Sequence, residues 1–111
     1  MSDSENNLNI MKGWIGFGDI WLDNKRLIMN AEYECSLLCE KRMRQELPGG
    51  EQTLAKALTE RMAGQLPEIL KQTRGKEPCL SQQITACAGK EMTLVGFDLI
   101  RFSLNVFWEE A

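Results

Sequence analysis

The chain has 111 residues, 13 Lys+Arg against 16 Asp+Glu, and a formal net charge of −3. That length suits one domain, and 43% apolar with 26% charged residues excludes a disordered chain. The mild acidity excludes a generally basic nucleic-acid binder. The absence of histidine excludes Ser-His and Cys-His nucleophile pairs and every His-containing metal site.

Residues 1–12 are rich in Asn and Ser and read as a flexible leader, with a single α+β domain over 13–111. The first residues, Met1-Ser2-Asp3-Ser4-Glu5, are polar and acidic where an export signal needs positive charge and then an apolar run. The expectation is a cytoplasmic protein with reduced thiols. No apolar stretch reaches the ~20 residues of a membrane-spanning helix.

The aromatics lie only toward the two ends: Trp14, Phe17, Trp21 and Tyr33, then Phe97, Phe102, Phe107 and Trp108. Aromatics favour half-buried pleated surfaces, so both ends read as strands. Trp14–Leu22 is the first. Asp23-Asn24 follows, two residue types that tolerate the left-handed conformation of a tight turn. From Arg26 to Leu37 apolar residues fall on one parity (Leu27, Met29, Ala31, Tyr33, Cys35), which predicts a half-buried strand and a β-hairpin.

Cys39, Met43 and Leu47 are spaced by four, and Glu40 precedes Arg44 by four, which predicts a short helix over 38–47. Leu47-Pro48-Gly49-Gly50 ends it. Leu54, Leu58, Met62, Leu66, Ile69 and Leu70 then form a stripe at helical spacing over 51–73. Pro67 either kinks one helix or opens a second in its first turn. Gly75 reads as the C-terminal cap.

Gln82–Ala88 reads as a strand, Gly89-Lys90 as a turn, and Met92–Trp108 as a long last strand. Gly96 marks a bulge within it. Ile100, Phe102, Leu104, Val106 and Trp108 alternate with Arg101, Ser103 and Asn105. The fold class is therefore α+β, in the chain order β-β-α-α-β-β. One or two helices pack on one face of a four-stranded, mainly antiparallel sheet. Leu99–Trp108 has no hairpin partner of its own length, so it pairs with part of Arg26–Leu37. That makes the spatial order first, second, fourth, third strand (β1-β2-β4-β3).

No motif declares a chemistry. Gly13-Trp14-Ile15-Gly16-Phe17-Gly18 lies inside a strand with no helix behind it, which suits a bulged edge strand and not a phosphate loop. Gly89-Lys90 lacks the rest of a P-loop. Glu32 and Glu34 share a strand face but have no third group to complete a catalytic set. Lys41-Arg42-Met43-Arg44 is flanked by Glu40 and Glu46 and reads as a solvated helix face. Cys35, Cys39, Cys79 and Cys87 lack zinc-knuckle spacing and have no histidine to activate them, so they read as free thiols without metal.

No catalytic residues, cofactor or metal are expected, nor a membrane or nucleic acid as partner. Function is expected in protein–protein binding, as an inhibitor, an immunity-type partner of a toxin, or a phage or mobile-element accessory protein. If one parity of the last strand faces the helices, then Ile15, Phe17, Trp21, Val95, Phe97 and Leu99 fall partly on the second sheet face and form the interface. The alternatives are a homo-oligomeric assembly protein and a binder of a small apolar ligand between helix and sheet.

Overall fold

The structure is a computed structural model and describes residues 10–110. Strand β1 (Met11–Leu22) and strand β2 (Lys25–Leu37) form a hairpin, closed by Asp23 and Asn24 with φ of 53° and 66°. Positive φ at both turn residues matches the turn twist to the strand twist, as the residue types foretold. Met11 and Lys12 belong to β1, opposite Cys35 and Glu34, so the strand takes the end of the expected leader; residues 1–9 of that leader lie outside the described residues.

Helix α1 (Glu40–Glu46) follows, with Met43 turned into the core and Glu40 paired to Arg44. After one 3-10 turn at Glu51–Thr53 come helix α2 (Leu54–Ala63) and helix α3 (Leu66–Thr73). Pro67 sits in the first turn of α3, so it separates two helices and does not kink one. Helix α3 ends at the expected place, but its cap is Arg74, in the left-handed region at φ 56°, one residue before the expected Gly75, which also has positive φ.

The segment read as a strand and turn over 82–90 is instead part of helix α4 (Cys79–Leu94). Leu80, Ile84, the adjacent Cys87 and Ala88, and Met92 are buried along one face at helical spacing. Ser81 supports its first turn by donating its N–H to Glu77 Oε1 at 2.8 Å. Gly96 then turns the chain, at φ 94°, into strand β3 (Phe97–Glu110). It is a junction and not the expected bulge. Its carbonyl accepts the N–H groups of Leu38 and Cys39 at 2.8 and 3.0 Å, which fastens the end of β2 and the start of α1 to the head of β3.

The fold is α+β, with an antiparallel sheet packed against helices on one face. Among the described residues the sheet has three strands in the order β1-β2-β3, because the third predicted strand, Gln82–Ala88, is helical. The expected central pairing of the last strand with β2 is present from Lys25↔Glu110 to Leu37↔Phe97, but it leaves β3 at an edge. Each outer strand carries one extra residue. In β1, Gly18 and Asp19 stand against the single residue between Phe17↔Met29 and Ile20↔Leu27. In β3, Ile100 is extra between Leu99↔Cys35 and Arg101↔Glu34. Such a bulge swaps the parity that faces the helices. Phe97 and Leu99 therefore share the helix face with Phe102, Leu104 and Val106, although their numbers differ in parity.

Candidate interaction surface

Among the described residues all the helices lie on one face of the sheet, and none covers the other face. On β1 it presents Trp14 and Trp21, 62% and 56% exposed; on β3 it presents Phe107, 54% exposed. Ile100, 46% exposed, adds to it at the β3 bulge. Cross-strand register sets Trp14 beside Glu32 and Ser103, and Ile28 beside Phe107. Between these apolar side chains run polar rows. Asn105 Nδ2 donates to Asn30 Oδ1 at 3.1 Å, Arg26 lies 3.4 Å from Glu109, and Arg101 lies 3.7 Å from Glu34. The surface is amphipathic, with large aromatics set in balanced charge.

Of the six residues expected on this face, only Trp21 is there. Ile15, Phe17, Val95 and Phe97 are buried in the core, and Leu99 packs against it from the helix side. For the four strand residues the bulges are the physical reason, since an odd-numbered apolar run before a bulge and an even-numbered run after it reach the same face. Val95 lies on no strand and is buried at the C-terminal end of α4. Trp14, Phe107 and Ile100 were missed. Phe107 was signalled by its break in the alternation of the last strand. Trp14 was signalled by sharing parity with Lys12 and Gly16.

The other candidate chemistries resolve structurally. The glycine-rich stretch lies in β1, with Tyr33 over Gly13: a Cβ there would overlap the Tyr33 ring and its hydroxyl. Gly89-Lys90 is mid-helix. Glu34 faces Arg101, and Arg42 Nη1 donates to the Thr93 carbonyl at 3.1 Å, tying α1 to the end of α4. All four cysteines are free thiols, and no group of metal-ligating side chains occurs among the described residues. Burial, and secondarily the nearby Glu51 charge, push the Cys35 thiol up to about 11; burial likewise raises Cys87. Neither is poised as a thiolate nucleophile.

One buried polar cluster escaped the sequence reading. Glu91, 6% exposed, accepts from Gln65 Nε2 at 2.7 Å and from Arg61 Nη1 at 3.3 Å, while Arg61 also reaches Glu46 at 2.8 Å. Every charge has a partner, and the cluster joins α1, α2 and α4 as a structural clasp. A shallow cleft of about 280 Å³ lies between β1 and α2, lined by Phe17, Ile20, Thr59 and Leu66. A second cleft, between β1 and α3 and lined by Trp21, Leu22, Pro67 and Leu70, is about 410 Å³, so the two straddle the lower end of the usual range for small-ligand sites, roughly 300–1,000 Å³.

No protein-family model matches the chain, and no curated protein matches it. Among the described residues no helix is long and apolar enough to cross a membrane.

Proposed function

We propose that this is a non-catalytic protein that works by binding another protein on the open face of its sheet. What supports the reading is the exposure of Trp14, Trp21 and Phe107 on one uncovered face. Large aromatics are enriched at the energetic centres of interfaces, and several of them exposed on one sheet face mark an interaction site. The mixed rows of Arg, Glu and Asn around them would set register and specificity without a strong net field. The size and acidity suit an inhibitor or accessory subunit. The reading places it in the cytoplasm, to which the four free thiols are suited.

The test is affinity capture from the source cell with the wild type and with a Trp14→Ser, Trp21→Ser double variant. Both side chains are more than half exposed, so the variant stays folded. The expected result is a protein retained by the wild type and lost by the variant. The same protein retained equally by both would remove the open face from the function.

A further inference from the structure

We propose that the free edge of β3 pairs antiparallel with β3 of a second copy, in the register that sets Asn105 opposite the partner's Asn105. The pairing would join two three-stranded sheets into one of six strands, with all helices on one side. Its main-chain bonds are made at the edge, and Arg101, Asn105 and Glu109, which set its register, project on the open face beside the seam; it does not need the exposed aromatics, so it does not rest on the protein-binding reading.

The two edges of the sheet differ. β1 carries a bulge at 17–20, two glycines beside it and an exposed lysine, Lys12, all of which discourage strand addition. β3 runs for 14 residues without proline or lysine, and its inward row of Phe102, Leu104, Val106 and Trp108 holds no charge. Its bulge lies at Ile100, so 101–110 is a regular edge whose outer main-chain donors and acceptors have no strand partner among the described residues.

The sequence of that edge is complementary to itself. Antiparallel about Asn105, Arg101 meets the partner's Glu109, Phe102 meets the partner's Trp108, and Leu104 meets the partner's Val106. Arg101 already lies against Glu34 and Glu109 against Arg26, so a row across the seam alternates in sign: Glu34, Arg101, the partner's Glu109, the partner's Arg26. The Asn30–Asn105 bond continues as a four-asparagine row. A shift of two residues either way leaves Arg101 opposite Phe107 or Ala111 and loses both charge pairs.

Burial points the same way. Phe102, Leu104 and Val106 face the helices yet are only partly buried. A helix of the length of α4, 16 residues, spans about 24 Å, and a strand of 14 residues spans about 46 Å. The helix covers about half of the strand, and the row left thinly covered is the one a second copy would extend.

The experiment is sedimentation of the full chain at micromolar concentration, with circular dichroism as the check on folding. The wild type should run at twice its 12.6 kDa chain mass. Arg101 and Glu109 are 64% and 57% exposed, so their variants fold. R101E alone and E109R alone each set like charges together twice at the seam and should weaken the dimer by about tenfold or more. Mixed, the two variants regain both charge pairs and should form a heterodimer. A monomeric wild type overturns the pairing, as do single variants that dimerise like the wild type, or a mixture no tighter than its parts. A dimer lost with Trp14→Ser and Trp21→Ser, but indifferent to positions 101 and 109, would be a face-to-face pair and also overturns it.

Discussion

Gly96 and Gly89 show how a single glycine is read by its backbone. At Gly96, with φ 94°, a Cβ would stand 2.6 Å from the Cys39 carbonyl oxygen and 2.7 Å from the Met43 nitrogen. Both neighbours are main chain and cannot swing aside, so Gly96→Ala should cost about 1–3 kcal/mol or more in chemical denaturation. Gly89 lies inside α4, and a Cβ would meet only Leu99 at an ordinary 3.7 Å. Gly89→Ala should therefore stabilise the protein by up to ~1 kcal/mol. A turn glycine at that position would give the opposite sign, so the pair of melting curves checks the helix directly. The buried thiol and phenol predict an alkaline limit. Burial raises Cys35 to about 11 and Tyr33 to about 12, above their ordinary 9 and 10. Both groups are neutral when protonated, so the unfolded chain loses these protons first as pH rises. Their stabilisation is whole below about pH 9 and is lost as pH climbs through 11 to 12, which urea midpoints taken from neutral to alkaline pH will show.

Among the elements, the hairpin, α1 and the helical span over 51–73 were legible from local spacing, while the sequence left open whether Pro67 kinks that span or divides it into α2 and α3. Leu54, Leu58 and Met62 keep one period, Pro67 sits where only a first turn accepts it, and Asp23-Asn24 sits where only a tight turn does. Helix α4 was not legible. Its buried face includes Glu91, a residue that pattern alone assigns to solvent and that is held inside by Arg61 and Gln65 from α2 and its end. Gly89 and the adjacent Ile84 and Thr85 also lean away from helix. Tertiary partners decided the segment, and these are invisible in one sequence. Two measurements test the clasp and the helix. Ile84→Ala should cost about 2–5 kcal/mol as a core truncation, where a solvent-facing strand residue would cost little. Glu91→Ala should cost about 1–3 kcal/mol by stranding its donors, and the more exposed Glu46→Ala clearly less.

For the whole molecule, the class of fold and the β2–β3 pairing could be read, while the number of strands and the open face could not. The pairing was legible because the last strand outran any hairpin partner. The open face was misassigned because alternation reports a face only until a bulge, and a bulge has no reliable letter in the sequence: Gly18 stands at one, Ile100 at the other. Removing residues 97–110 would strip the whole flank of β2 and the fully buried Phe97, and the remainder should show no cooperative unfolding transition. The bulges also mean that the chain is two residues longer than its ladders require. Without Ile100, Leu99 and Arg101 become neighbours in an unbroken ladder, still opposite Cys35 and Glu34, and every later residue keeps its face. Without Ser103, the residues on one side of the gap must turn inside out. Single-codon deletions scanned along β3 should therefore be survivable at 100 and ruinous at 103. Natural length variation in this strand, where it arises, should collect at that one place.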